Sequence, residues 1–125
     1  MSDYIVAISD VRSADLGRVG GKGANLGELA AAGFAVPSGF CVTTAGYQQF
    51  VASAEGDIEV LLADVGADDP QGLSAAAGKV RAHLEGLPMP AEVERAITGA
   101  WRGLGSDRPL AVRSSATAED LPTAS

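Results

Sequence analysis

Apolar residues recur every three or four positions along most of the chain, which is the pattern of amphipathic helices. The pattern predicts a helix over about residues 22–32, two helices or one broken at 55–57 over about 47–65, and another helix over about 70–85. The clearest apolar stripe follows, from Val93 to Leu104. Gly33 is placed to end the first helix, because glycine readily adopts the left-handed conformation found after helix C-termini.

Short apolar runs next to turn residues predict strands at about residues 4–8, 39–42 and 109–112. Strands and amphipathic helices in one short chain indicate an α/β fold in which several helices pack on a small sheet that includes residues 111–113. The side chains expected in the core are the larger apolar residues of the helical stripes: Leu26, Leu29, Phe50, Leu61, Val80, Ile97 and Trp101.

Length and charge narrow the possible classes of protein. The chain has 125 residues, 46% of them hydrophobic, which suffices for one modest core. A formal net charge of -7 argues against binding nucleic acid or an anionic membrane surface. The N-terminus lacks the pattern of a signal peptide, and no apolar run approaches the length of a membrane span. Cys41 is the only cysteine, so an internal disulfide is excluded and a cytoplasmic location is expected.

Candidate chemistry begins at three close glycines, Gly20, Gly21 and Gly23, around Lys22. A glycine-rich turn opening into a helix exposes backbone N–H groups that attract anions, and a lysine beside it favours phosphate. Two known phosphate motifs do not match. A Walker A loop needs Ser or Thr after the lysine, and a dinucleotide fingerprint needs glycine where Leu26 stands. The alternative is a glycine-rich loop with a solvated lysine.

A second candidate site follows the last predicted strand. Arg113 offers a planar fork of donors, and Ser114, Ser115 and Thr117 offer hydroxyl groups, which together suit phosphate oxygens. The alternative is an ion pair of Arg113 with an acidic residue of the same loop, Glu119 or Asp120.

Two other reactive residue types have ordinary explanations. His83 lies between the apolar positions of its helix and is the only histidine, so it is expected to be a surface residue rather than a metal ligand or catalytic base. Cys41 is expected to be a small, buried apolar residue.

Three segments in this order, residues 19–28, 36–40 and 111–122, resemble the start of the phosphoenolpyruvate synthase and pyruvate phosphate dikinase family. The last segment looks like the synthase type, which is pyruvate, water dikinase, and rifampicin phosphotransferases share it. The resemblance implies that residues 1–125 are the N-terminal part of an ATP-binding domain, incomplete at its end. It also implies the N-terminal lobe of an ATP-grasp fold.

The resemblance gives roles to individual positions. Lys22 and Arg113 correspond to cations that contact nucleotide phosphates. The remaining expected cofactor-binding residues are Gly20, Gly21, Gly23, Ser114, Ser115 and Thr117. No catalytic residue and no metal ligand is expected in these 125 residues, because the phosphohistidine and the Mg²⁺ ligands of the family lie further along the chain.

Three functions remain open. The preferred one is part of a synthase-type dikinase that uses ATP to phosphorylate pyruvate through the phosphohistidine. The second is part of a rifampicin phosphotransferase, in which the acceptor is the antibiotic. The third is a stand-alone nucleotide-binding or interaction module without catalytic activity.

Overall fold

The computed structural model describes residues 3–63, 65–66, 68–105 and 107–117. The chain forms two compact units, Met1–Tyr47 with Ala91–Ser125 and Gln48–Pro90. The regular elements in the described residues are β1 (Ile5–Ala7), α1 (Leu16–Ala31), β2 (Phe40–Val42), α2 (Thr44–Val51), α3 (Glu55–Leu62), α4 (Pro70–Glu85) and α5 (Ala91–Leu104), with 3₁₀ turns at Ile8–Asp10, Ser13–Asp15 and Ala52–Ala54. The predicted α/β class is confirmed.

The sheet of the first unit is a short antiparallel pair. β1 and β2 pair with Val6 opposite Cys41, at the centre of the register. The ladder continues past the strand ends, because the Ile8 N–H donates to the Gly39 carbonyl (3.0 Å) and the Thr43 N–H donates to the Tyr4 carbonyl (2.9 Å). Two of the three predicted strands are therefore confirmed, each slightly shorter than expected.

Helix α1 packs on this sheet through small residues. Its buried positions are Val19, Gly20, Gly21, Gly23, Ala24 and Gly27. Val19 and Ala24 join Val11 in the buried cluster, against which Val6, Leu16 and Cys41 also pack. A Cβ atom at Gly27 would overlap the Val11 carbonyl group, so this glycine allows the helix to approach the backbone at Val11. The expected buried position of Cys41 is confirmed in part, since the thiol is half-buried beside the cluster.

The C-terminus of α1 is as predicted. Gly33 has a φ of 93° and follows the C-cap residue. Its N–H donates to the Ala30 carbonyl (3.1 Å), and the Phe34 N–H donates to the Leu29 carbonyl (3.1 Å). These two bonds form a Schellman motif, which satisfies carbonyl groups that the helix end leaves unpaired.

The N-terminus of α1 differs from the prediction. The helix begins at Leu16 rather than near residue 22, and it is interrupted at Gly20. The prediction started the helix after the glycines because glycine has a low helical propensity. The helix forms earlier because tertiary contacts at the interruption stabilise this segment.

The second unit contains helices α3 and α4, which contact each other. Helix α4 has the predicted bounds: Asp69 is its N-cap and accepts a hydrogen bond from the Gly72 N–H (3.0 Å), and Pro70 is in the first turn. The predicted break at residues 55–57 lies earlier, at the Ala52–Ala54 turn. Glu55 and Asp57 instead fall in the first turn of α3. Carboxylates there stabilise the helix, because they lie near the positive end of the helix dipole.

Two predicted core residues are exposed. Leu29 retains 43% of its accessible surface and Trp101 retains 36%. The other predicted core residues are half-buried, and they are Leu26, Phe50, Leu61, Val80 and Ile97. The prediction used the large apolar side chains to define the buried face of each helix. In α1 the buried face is the glycine-containing one, and in α5 the fully buried residue is Val93.

The predicted strand at residues 111–113 does not form. Residues 109–116 belong to no strand or helix, and Val112 is 94% exposed. A strand requires a neighbour to pair its backbone, and here the backbone at Ala116 bonds to α1 instead. In the described residues, no helix has both the length and the apolar character of a membrane span.

Candidate functional site

The site is built on an interruption of α1 at Gly20. This residue has φ 79° and ψ 171°, a conformation that is essentially restricted to glycine. A Cβ atom at Gly20 would also overlap the backbone of Ser115. Glycine is therefore required at position 20 both by its own backbone conformation and by the close approach of a segment 95 positions further along the chain.

The Ser115 hydroxyl group bridges the interruption. In an unbroken helix the Gly23 N–H would donate to the Val19 carbonyl, four residues earlier. Here the Gly23 N–H donates to Ser115 Oγ (2.9 Å), and Ser115 Oγ donates to the Val19 carbonyl (2.5 Å). The hydroxyl group thus replaces one missing helical hydrogen bond with two, in the manner of side chains that insert into kinked helices.

A backbone hydrogen bond lies beside this bridge. The Gly21 N–H donates to the Ala116 carbonyl at 3.0 Å. We call the set formed by Val19, Gly20, Gly21, Gly23, Ser115 and Ala116 the Ser115 clamp. The clamp brings together the two segments that the sequence singled out for phosphate chemistry.

The clamp corrects one part of the sequence interpretation. The backbone N–H groups where the glycine-rich turn opens into the helix were expected to point outward as free donors for an anion, and Gly21 and Gly23 lie in this stretch. Both are already hydrogen-bonded to residues 115–116. Within the described residues of this region, the side-chain cations and the exposed hydroxyl groups of Ser114 and Thr117 therefore remain as candidate anion-binding groups.

Lys22 and Arg113 are these cations. Lys22 is half-buried and lies between the two clamped glycines, whereas Arg113 is exposed two positions before Ser115. In residues 3–63, 65–66, 68–105 and 107–117, neither side chain has a hydrogen bond or an ion pair. The alternative ion pair of Arg113 involves Glu119 or Asp120, which lie outside the described residues.

The other two predicted site residues, Ser114 and Thr117, are exposed. Their hydroxyl groups make no hydrogen bond within the described part of the chain. They lie on either side of the clamped residues 115–116 along the sequence, so the clamp limits where they can be placed.

Carboxylates close to α1 in sequence are engaged with other groups. Glu28 accepts a hydrogen bond from the Ser13 N–H (2.9 Å). Asp15 accepts from the Arg12 N–H (2.9 Å) and pairs with Arg18 (3.1 Å). The Arg12 N–H, followed by the Arg18 side chain, lowers the pKa of Asp15 below its ordinary value. Neither Asp15 nor Glu28 forms an ion pair with Lys22.

Other features lie apart from the clamp. A groove of about 290 Å³ is lined by Ala7, Ile8, Ser9, Ala30, Val36, Pro37, Ser38, Gly39 and Leu104, none of which was a predicted site residue. His83 Nε2 lies 3.1 Å from the exposed Asp57 carboxylate. Burial raises the pKa of the Cys41 thiol, so the thiolate is disfavoured. The described residues contain no group of three or more His, Cys, Asp or Glu that would suit a metal ion.

Sequence reasoning grouped Ser115 with the phosphate-binding hydroxyls and missed its bridging contact. The two halves of the contact are separated by 92 positions, and the local pattern of neither half indicates contact with the other. A partial signal was present: five glycines in sixteen residues disfavour a helix strongly, so a helix that nevertheless forms needs an external contact.

The clamp places Lys22 of the interrupted helix α1 beside the segment that carries Arg113. The family model described as pyruvate phosphate dikinase, AMP/ATP-binding domain, matches residues 16–125. The chain belongs to this family, and the resemblance noted from its three sequence segments is confirmed.

Relatives with two different names match nearly the whole chain. A rifampicin phosphotransferase of a Streptomyces species is 47% identical over 97% of this chain and 14% of its own length. A probable phosphoenolpyruvate synthase of Staphylothermus marinus is 40% identical over 98% of this chain and 16% of its own length. A phosphoenolpyruvate synthase of Neisseria meningitidis serogroup B is 37% identical over 98% of this chain and 17% of its own length. The chain therefore spans about one seventh of the length of the curated relatives it matches.

Proposed function

We propose that this chain supplies part of the ATP site of a synthase-type dikinase, with Lys22 and Arg113 contacting the nucleotide phosphates. The observation that carries the proposal is the Ser115 clamp, because it joins the two segments that bear these cations through hydrogen bonds at Gly21 and Gly23. Membership of an AMP/ATP-binding family supports the nucleotide as the ligand.

The proposed chemistry is electrostatic. Phosphoryl transfer moves negative charge onto the phosphate oxygens, and cations held in place before the reaction stabilise that charge. Lys22 supplies a point charge, and Arg113 supplies a planar fork that can bind two oxygens together. Both side chains lack partners in the described residues, so neither has to break an ion pair there to bind phosphate.

Further groups complete the proposed site. Gly20, Gly21 and Gly23 contribute by allowing close approach of the backbone, and Ser114 and Thr117 contribute exposed hydroxyl groups. Mg²⁺ would be held by ligands outside this chain, within an ATP-grasp domain of which these residues form one lobe. The phosphoryl group would pass through a histidine elsewhere in the complete protein to pyruvate, and a cytoplasmic location fits this metabolic role.

Rifampicin is a second candidate acceptor. A rifampicin phosphotransferase is among the relatives that cover nearly the whole chain, at 47% identity. The residues of the clamp are proposed to act on ATP, so they do not distinguish the two acceptors. AMP release from ATP by the complete protein, measured with pyruvate and with rifampicin in turn, separates them: dependence on pyruvate supports the synthase, and dependence on rifampicin alone contradicts it.

The nucleotide site itself is tested with Lys22→Met and Arg113→Met in the complete protein. Each is expected to slow the ATP half-reaction by about 10²-fold or more, since each removes a cation placed against phosphate charge. Lys79→Met is the matched control for the lysine, because Lys79 is the chain's other lysine and lies exposed on α4. Exposed Arg81 gives the corresponding arginine control. Unchanged kinetics of Lys22→Met would contradict the proposed site.

The third possibility, a stand-alone module, is tested by the same assay. If the chain is a stand-alone nucleotide-binding or interaction module, no AMP release is expected with either acceptor.

A further inference from the structure

The Ser115 side chain has a role that phosphate binding does not explain. We propose that Ser115 is a positioning residue, whose hydroxyl group completes the interrupted turn of α1 and thereby holds Lys22 in register with the Arg113 segment. This inference rests on the proposed function of Lys22 and Arg113.

The first argument is the placement of the contacts around Lys22. The N–H group before Lys22, that of Gly21, donates to the Ala116 carbonyl, and the N–H group after it, that of Gly23, donates to Ser115 Oγ. The backbone on both sides of Lys22 is therefore attached to two consecutive residues of the other segment. The lysine cannot rotate about the helix axis without losing at least one of these hydrogen bonds.

The second argument is the hydrogen-bonding capacity of the hydroxyl group. A serine hydroxyl has a single donor, and Ser115 uses it on the Val19 carbonyl (2.5 Å). A phosphate oxygen accepts hydrogen bonds and requires a donor. For Ser115 to bind phosphate directly, it would have to release the carbonyl of Val19, a buried residue. An unpaired buried carbonyl is costly, so the hydroxyl is committed to the helix.

The third argument is the fit of the surrounding residues. Gly20 has no Cβ atom, and such an atom would overlap the Ser115 carbonyl and Oγ. The absence of a side chain at position 20 and the unusual backbone conformation there both allow Ser115 to lie against the helix. A further hydroxyl group supports the turn just before the interruption, since Thr44 Oγ1 donates to the Gly17 carbonyl (3.0 Å).

The experiment compares Ser115→Ala, Ser115→Thr, Lys22→Met and the double variant Ser115→Ala with Lys22→Met, each in the complete protein. Ser74→Ala is the matched control, because Ser74 is exposed on α4 and lies outside the clamp. Two quantities are measured. One is hydrogen exchange without nucleotide, by mass spectrometry of peptides covering residues 19–25. The other is the affinity for ATP with Mg²⁺, by calorimetry.

We expect Ser115→Ala to speed exchange in residues 19–25 about tenfold or more and to weaken ATP binding about tenfold, as the loss of hydrogen bonds to buried groups does. Ser115→Thr keeps the hydroxyl group and should retain most of both properties. In the Lys22→Met background, Ser115→Ala should weaken ATP binding little further, because its effect passes through Lys22. Ser74→Ala should match the unmodified protein. If Ser115→Ala does not fold, Ser115→Cys, whose thiol is only a weak donor, carries the same expectations.

Three results would overturn the inference in different ways. Unchanged exchange in residues 19–25 would mean that the hydroxyl group does not hold the turn. If Ser115→Ala weakens ATP binding as much in the Lys22→Met background as it does alone, Ser115 acts as a direct ligand, and the proposed function still holds. Faster exchange in Ser115→Ala together with normal ATP binding by Lys22→Met would refute the proposed function, and the positioning role with it.

Discussion

Helices α1 and α4 are both sixteen residues long, but they are stabilised in different ways. Helix α4 has strong local signals: Asp69 caps it and Pro70 is in its first turn. Helix α1 has no side-chain cap from Asp15, contains five glycines and is interrupted at Gly20. Its order depends on residues outside the helix, chiefly Val11 just before it and the distant Ser115.

The difference shows what each helix contributes. Each glycine in a helix interior costs about 1 kcal/mol relative to alanine, so α1 is a poor helix by local criteria. The same glycines allow another backbone segment to approach at positions 20 and 27. The proposed phosphate site lies on the helix with weak local signals, as expected where function competes with local stability.

The sharpest test of the comparison is Gly20→Ala. We expect it to lower the free energy of unfolding by roughly 2–4 kcal/mol, because the new Cβ atom overlaps Ser115 and the backbone conformation is unfavourable for alanine. Gly17→Ala, in the same helix, is the control, since nothing lies within 4 Å of a Cβ atom there. Urea unfolding measures both. Equal stability of the two variants would mean that α1 does not depend on the Ser115 clamp.

Gly27→Ala should have the next largest effect. A Cβ atom at this position overlaps the Val11 carbonyl, so helix and backbone must separate, and we expect a loss of roughly 1–3 kcal/mol in the free energy of unfolding. The measurement is again urea unfolding. A gain in stability would show that α1 behaves as an ordinary helix in which alanine is preferred.

Asp69→Ala tests the local signals of α4. Loss of the hydrogen bond from the Gly72 N–H should cost about 1 kcal/mol. Asp69→Asn, which keeps an acceptor oxygen, should lose much less. Hydrogen exchange of residues near 70–75 reports on this end of the helix, and a null effect of Asp69→Ala would contradict a helix stabilised by its cap.

Gly78→Ala is expected to stabilise α4, by about 0.5–1 kcal/mol. A Cβ atom at Gly78 meets only the end of the Arg81 side chain, at 3.8 Å. The substitution that weakens α1 at Gly27 should therefore strengthen α4. Thermal unfolding checks the sign, and destabilisation at Gly78 would remove the contrast between the helices.

The smallest expected effect is the pH dependence of the turn before α1. The Arg12 N–H and the Arg18 side chain lower the pKa of Asp15 in the folded state. The ionised carboxylate therefore stabilises the folded state at pH values above the ordinary aspartate pKa of about 3.9. It is lost as the pH falls through the lowered pKa of the folded state. Asp15→Asn should lack this component of acid destabilisation below about pH 4. Identical acid profiles for both proteins would contradict it.

Several elements were predictable because their signals are local. Helix α4 was predicted with its observed bounds, the stop at Gly33 was predicted from a single glycine, and the strands at residues 4–8 and 39–42 were predicted to within about two residues. Capping residues and apolar periodicity act over a few positions, so they can be recognised without knowledge of the partners.

The errors have a common physical cause. Burial was assigned to large apolar side chains such as Leu29 and Trp101, but α1 is buried through glycines and α5 most completely through Val93. A hydrophobicity pattern gives a glycine little weight, although close backbone packing depends on it. Residues 111–113 have a strand-like composition, yet composition does not provide a pairing partner.

The sequence alone determined the residue types of the proposed site. These are Lys22, Arg113 and the glycines on either side of the lysine. The tertiary structure decided how they are connected. Ser115 replaces a helical hydrogen bond in a segment 92 positions away, and Ser115 and Ala116 each occupy an N–H group that the local pattern left free for an anion. Such a contact depends on the path of the whole chain between its two ends, and that path is set by packing rather than by the residues on either side of the contact.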